Sequence, residues 1–456
     1  MSLDTQAIRR EFPITEVMIE AAGNGGPRPL IYLDHAASTH PCRRVIAGYT
    51  DFLAHRYANI HRGLHRLSMI STELFDRVSE VISTYIGANP RSHCIVYTQN
   101  TTSALDLAAH VMAELPGITL STEMEHHSND LPHRQRGEVK HVRVSADGRL
   151  DLDHLDELLA RHRVKLVAVT GASNVTGWMP DIHGIADRAH RAGARILVDG
   201  AQLLAHYPIQ MRSPSEPGHL DFVAAAGHKA YAPFGAAFLA GPRDLLDAAP
   251  PYQPGGGTVA CVTADRVYWL PSPDRHHGGT PNIPGVIAMA SALEFLSEVG
   301  MPAIRAHELE LLTYARERLA AIDGLTLYGP PAVDERLGVL SFNLTGVPHG
   351  VVSAVLNSEA GIATRNGRFC AHPYVHQLLG IEAAEAEAIV ERQLAGDRVE
   401  LPGAVRASFG IYNTTEEVDR LAETLVQVRD GGFTGRYDAA ALSLCNPDLA
   451  DLRFEA

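Results

Sequence analysis

Asp199 and Lys229 stand 30 residues apart, each just after a short apolar run that gives way to a glycine-containing polar cluster. The runs are ARILVD (194–199), continued by Gly200-Ala201-Gln202, and DFVAAA (221–226), continued by Gly227-His228-Lys229. An acid and an amine at the carboxyl ends of neighbouring strands suit pyridoxal 5′-phosphate. A lysine carries the aldehyde of that cofactor as a Schiff base, and a carboxylate keeps the proton on its pyridine nitrogen. The chain has three lysines, Lys140, Lys165 and Lys229, among its 39 basic residues. Lys140 lies in the polar stretch KHVRVSADG and Lys165 at the start of a strand. Both are expected in solvent, which leaves Lys229 for the chemistry.

A cofactor phosphate needs hydroxyls and free N–H groups. Asn100-Thr101-Thr102-Ser103 follows the run HCIVYT (93–98) and opens the apolar helix ALDLAAHVMAEL, so Thr101 and Thr102 can face an anion. The same residues also serve as ordinary helix punctuation. In Met124-Glu125-His126-His127-Ser128-Asn129 the adjacent histidines point different ways on a regular element and lack further spaced ligands. No metal is assigned to them, and His126 suits stacking on a pyridine face. His276-His277 reads as loop. Cys370 follows Arg365, Asn366, Gly367, Arg368 and Phe369 and precedes His372. Positive charge there favours thiolate and hence a nucleophile, although a small core cysteine beside an arginine-rich loop reads the same way.

The elements that must position these groups alternate short apolar runs with amphipathic stretches from about residue 31, the pattern of an α/β unit with a mostly parallel sheet. Strands are expected at 93–98, 164–170, 194–199, 221–226 and 235–240. Leu74, Val78, Val81, Ile82 and Tyr85 predict a helix from Ser71 to Gly87. Gly300 and Pro302 mark a break. Beyond it Ile304, Leu311, Ala315, Leu319 and Ile322 stripe a long helix, strands follow near 337–344 and 362–365, and Thr414 with Glu417 caps a closing helix. The expected division is a large domain over 31–299 and a smaller α+β domain from 1–30 and 300–456. The latter carries an acidic insertion at 381–402 and a surface extension after 433.

Composition narrows the function classes. Of 456 residues, 45% are hydrophobic, and the formal charge of −14 disfavours nucleic acid or an anionic membrane as partner. No run of 18 apolar residues occurs, and the first residues lack a signal-peptide core. The five cysteines (42, 94, 261, 370 and 445) form no C-x-x-C pair, so a reducing cytoplasm is expected. No G-x-G-x-x-G follows a strand, which disfavours a nicotinamide dehydrogenase.

Nine motifs in order resemble the class V aminotransferase family of fold-type-I pyridoxal-phosphate enzymes. Within it the likeness is to the group-II, Suf-type cysteine desulfurases and selenocysteine lyases. The motifs are YLDHAAST (32–39), HRGLHRLS (61–68), TQNTTSALDLAA (98–109), MEHHSN (124–129), SNVTG (173–177), VDGAQ (198–202), GHK (227–229), GGTPN (278–282) and VRASFGIYNTTEEVDRL (405–421). The resemblance implies a large domain with a seven-stranded, mostly parallel sheet, and a homodimer. It implies Lys229 as the cofactor lysine, Asp199 on the pyridine nitrogen and His126 on the ring. Asn174 and Gln202 would lie on the phenolic side, with Thr102 and His228 on the phosphate and Thr280 reaching the phosphate of a second subunit. Arg406 would take the substrate carboxylate with Asn174 nearby, Arg365 would assist, and Cys370 would accept sulfur as a persulfide. L-cysteine would then yield alanine, and a protein acceptor would take the sulfur. An aminotransferase or C–S β-lyase with an idle Cys370 is the alternative. Three departures stand out: Ala226 where a serine is usual, Arg368-Phe369 where two histidines are usual, and the 381–402 insertion. The Phe-Cys pair and longer linker are similar to molybdenum-cofactor sulfurase domains.

Overall fold

Seven runs form one sheet: β1 (His93–Thr98), β2 (Ile118–Thr122), β3 (Val139–Val142), β4 (Val164–Thr170), β5 (Arg195–Asp199), β6 (Phe222–Ala226) and β7 (Ala237–Pro242). The computed structural model describes residues 3–20, 26–397, 401–435 and 437. The strand order is β1-β7-β6-β5-β4-β2-β3. β7 runs antiparallel to both β1 and β6, and every other adjacent pair is parallel. All residues of β6 and β7 are buried, because helices cover both faces of the sheet. The carboxyl ends of β1, β2, β4, β5 and β6 therefore share one edge. β7 begins two residues later than expected because Gly235, at φ 90°, still belongs to the turn.

The helix expected from Ser71 starts earlier and spans Arg66–Ile86. His65 moves its start, since Nδ1 of that residue accepts the Ser68 N–H at 3.3 Å and caps the first turn. Gly87, at φ 64°, ends it as expected. Its buried face, with Val78 and Ile82, packs on the helix Ile283–Val299.

A second sheet is antiparallel throughout. It contains β8 (Leu325–Tyr328), β9 (Val339–Leu344), β10 (Arg365–Gly367) and β11 (Ala404–Ser408) in the order β8-β9-β11-β10. The helices Met301–Ala320, His349–Ala360 and Thr415–Arg429 close over it, and Leu311, Val352, Phe342, Val405 and Leu421 share the resulting core. Both halves of the Thr414/Glu417 capping box are formed. The single strand expected near 362–365 is two. Ile362–Ala363 pairs in parallel with Ile31–Tyr32, whereas β10 joins β11. At the break Thr364 Oγ1 lies 3.0 Å from Ser353 Oγ. The split ties the segment before Asp34 to the segment before Cys370.

Within the acidic insertion, Ala383–Leu394 is a helix with one buried residue, Ala386. Phe433 and Tyr437 pack against the second core, and the expected tail beyond Tyr437, with Cys445, lies outside the described residues.

Candidate active site

The shared carboxyl edge opens into a cleft of about 360 Å³. Thr101, Asp199, Lys229, Cys370 and Arg406, drawn from both sheets, line it together with His126, Asn174, Gln202, His228 and Arg365. Lys140 and Lys165 are elsewhere. Lys140 lies 3.5 Å from Glu138. Lys165 departs from the solvated position expected of it, because β4 brings its Nζ to donate to Ala113 O at 3.3 Å.

Lys229 follows β6 in a single helical turn, Gly227–Lys229. Burial pushes its amine down to about 8; Asp199 pulls it up and Arg406 pushes it further down. Asp199 ends β5 at 5% exposure, and its Oδ1 accepts the Ala201 N–H at 3.0 Å. Burial raises its carboxyl pKa, while the Ala201 bond and Lys229 oppose that rise. A carboxylate so placed gains from a cationic N–H set against it, as a protonated pyridine nitrogen provides.

At the other end of the cleft, the helix Thr101–Ala113 begins after Asn100, whose Oδ1 accepts the Ser103 N–H at 2.9 Å. The N–H groups of a helix's first turn have no partner inside the helix. Thr101 Oγ1 is buried with no hydrogen-bond partner, and Thr102 Oγ1 is 2.7 Å from Ser128 Oγ. An orphaned hydroxyl beside a positive helix end fits a phosphate. His228 stacks on Phe234 with ring centroids 5.6 Å apart, and burial lowers its imidazole to about 4. Ala226 is buried and adds no hydroxyl to this end. Thr280 is exposed and does not line the cleft of its own chain.

His126 precedes the turn His127–Asn129, and its Nδ1 accepts the Ser128 N–H at 3.1 Å, which assigns the ring proton to Nε2. Burial, then Lys229, His127 and Arg406, push it down to about 3, so the ring is neutral and free to stack. Just before it in the chain is buried Glu125, which sequence reasoning passed over inside its own motif. Glu125 accepts from Thr122 Oγ1 at 2.6 Å, the Thr170 N–H at 2.9 Å and Asn129 Nδ2 at 2.6 Å. Burial raises it to about 8 against those three bonds.

Arg406 on β11 is 2% exposed. It donates from Nη1 to Asn174 O at 3.0 Å and from Nη2 to Asp34 Oδ1 at 2.9 Å, while Nε is buried without a partner. Asp34 also lies 3.6 Å from Arg365, whose side chain is mostly exposed. Asp34 was the second residue missed, although YLDHAAST contains it. Gln202 Nε2 donates to Ala36 O at 2.8 Å, in the same segment.

Cys370 is exposed, which removes the reading of a small core residue. It leads from β10 into the helix His372–Leu379. Phe369 and Cys370 both adopt left-handed backbone, at φ 52° and 55°. That conformation costs a residue with a side chain roughly 1–2 kcal/mol. Opposing it, Phe369 O accepts Asn174 Nδ2 at 2.8 Å and Cys370 O accepts the His127 N–H at 2.7 Å.

A family model described as aminotransferase class-V matches residues 31–421. The chain belongs to that family. Among curated relatives, a cysteine desulfurase of Haloferax volcanii is 35% identical over 443 residues, covering 94% of this chain and 97% of the relative. A cysteine desulfurase of Enterobacter sp. is 33% identical over 438 residues, covering 94% and 99%. Among solved structures, the apo cysteine desulfurase of Thermococcus onnurineus superposes with a TM-score of 0.82 at 28% identity, covering 94% of this chain and 99% of that one. A cysteine desulfurase of Escherichia coli in an S-sulfonic acid form gives 0.78 at 28% identity, covering 95% and 100%.

Outside the cleft of this class-V chain, His190, His219 and Asp221 are close enough to share a metal, among the described residues. The carboxylate already accepts from His190 Nε2 at 2.9 Å, Arg195 Nη1 at 2.7 Å and the Ile196 N–H at 2.9 Å, which makes the group a structural pin. No single helix among the described residues is long and apolar enough to cross a membrane.

Proposed function

We propose that this class-V chain is a cysteine desulfurase that converts L-cysteine to L-alanine and keeps the sulfur on Cys370 as a persulfide. The observation that carries this reading is an exposed thiol lining the same cleft as a depressed lysine amine and a buried arginine. Similarity to curated cysteine desulfurases along almost the whole chain supports it.

Pyridoxal 5′-phosphate, when bound, supplies an electron sink for the Cα–H bond of the amino acid. Lys229 would hold it, Asp199 its ring nitrogen, His126 its face, and Thr101, Thr102 and His228 its phosphate, with Asn174 and Gln202 on the phenolic side. Thr280 of a second copy would complete the phosphate site, which makes the working unit a homodimer. Arg406, held by Asp34 and Asn174, receives the substrate carboxylate, and Arg365 adds charge at the mouth. Lys229 would move the α-proton of the substrate. The thiolate of Cys370 attacks the substrate sulfur, so an S–S bond forms while the C–S bond breaks and Cβ gains a proton. Substrate carbon is reduced and sulfur oxidised in one step, without an outside oxidant. A reducing cytoplasm keeps the thiol free, and a protein thiol is the natural acceptor for its sulfur. We read the large sheet as the 31–299 domain and the second sheet as the domain built from 1–30 and 300–456.

The test is product analysis with L-cysteine. Alanine with protein-bound persulfide is expected, and Cys370→Ala should lower alanine formation by about 10²-fold or more while leaving cofactor absorbance intact. Pyruvate as the product would favour a β-lyase, and an unchanged rate in that variant would remove Cys370 from the reaction.

A further inference from the structure

Three residues form a closed circuit beside the exposed thiol. Arg406 Nη1 donates to Asn174 O at 3.0 Å, Asn174 Nδ2 donates to Phe369 O at 2.8 Å, and the Phe369 ring lies 4.8 Å from the Arg406 guanidinium carbon. Phe369 is buried, yet its neighbour Cys370 is exposed, and both hold left-handed backbone. Such a turn persists only while its surroundings over-determine it. On the far side the Cys370 carbonyl accepts the His127 N–H at 2.7 Å, and the Ala371 N–H closes the turn on Arg368 O at 2.9 Å. On the near side Phe369 links the turn to the cleft, through its carbonyl on Asn174 Nδ2 and its ring on Arg406. Its ring faces a cation with little access to water, the setting in which attraction between a cation and an aromatic face is strongest.

We propose that Phe369 is a positioning residue that ties carboxylate occupancy of Arg406 to the presentation of the Cys370 thiol. The inference rests on the roles given to Arg406 and Cys370 above. An anion arriving on Arg406 takes its remaining N–H groups and offsets its charge, which weakens the hold of the guanidinium on the ring. The strained turn then loosens, and the thiol becomes free to reach a sulfur atom only when a substrate is in place. A leucine fills similar space but has no negative face, so it leaves the turn loose at all times.

The experiment measures alkylation of Cys370 by iodoacetamide in the cofactor-loaded chain, scored by peptide mass relative to exposed Cys261. L-alanine serves as the ligand, because it carries the carboxylate and leaves the sulfur position empty; saturation is followed by cofactor absorbance. Alanine is expected to accelerate alkylation about fivefold in the wild type and in Phe369→Tyr. Phe369→Leu should react fast without ligand and respond less than about twofold. Simple shielding by alanine would slow the reaction instead. Slowing or no change in the wild type overturns the proposal, as does a wild-type response in Phe369→Leu. Cofactor absorbance reports whether each variant is folded, and the sign of the wild-type response needs no variant. Should L-cysteine yield no alanine while the Phe369-dependent response remains, the reaction assigned above fails and the coupling stands. The reverse outcome sinks the coupling alone.

Discussion

Lys229 owes its lowered amine pKa to the protein packed around it. Burial lowers the amine to about 8, although Asp199 works the other way. Only the unprotonated amine attacks an aldehyde, so below that value the free fraction drops about tenfold per pH unit. The rate at which the cofactor-free chain takes up pyridoxal phosphate should therefore climb to about pH 8 and level off. Stopped-flow absorbance reads it; a rate still climbing toward the ordinary lysine value of 10.5 would contradict the burial argument. The cleft placement of Lys229 and Asp199 was legible in the sequence because one amine and one acid stand at strand ends and the lysines are few. Asp34 was not legible as a site residue. Its meaning comes from Arg406, 372 positions away, and no local pattern encodes a partner at that distance. Cys370 fell between these cases, since its residue type suggested chemistry but only its exposure decided against a core role.

At the scale of elements, Glu125 fastens the His126 turn to the end of β4 through the Thr170 N–H. Its folded pKa, raised from 4.5 to about 8, has a consequence with a definite sign. Between those values the folded chain holds a proton that the unfolded chain releases, so this group makes stability fall as pH rises. Asn129 Oδ1, buried without a partner, is able to accept that proton's hydrogen bond once the amide is turned. Glu125→Gln supplies the same donor at every pH. The urea midpoint of the cofactor-free variant should therefore lose the part of the wild-type decline between about pH 5 and 8 that belongs to this group. An identical decline in the two proteins would show that the carboxyl is not held neutral. Periodicity revealed most elements themselves, including the Thr414/Glu417 box and the left-handed Gly87 stop. It did not reveal the direction of β7, because a strand buried on both faces reads as the same apolar run whether parallel or antiparallel. Nor did it reveal that His65 would cap a helix, since imidazole is an uncommon cap.

For the whole molecule the decisive residue is Thr280, exposed and absent from the lining of its own cleft. Leu64, Met69, Tyr57 and Phe234 are exposed as well, the last stacked on His228. If Thr280 of one copy serves the phosphate of the other, two damaged chains should repair each other. Lys229→Ala removes a chain's own site but leaves its Thr280 to lend. Thr280→Asp sets a charge against the neighbour's phosphate but leaves its own Lys229 intact. Each homodimer should be close to inactive. Unfolding and refolding an equal mixture gives half mixed dimers, each with one sound site in two, hence about a quarter of wild-type alanine formation. Size-exclusion chromatography establishes the dimer, and the activity of the mixture establishes the sharing. Thr280→Asp at full activity, or a mixture no better than its parents, would confine each active site to one chain.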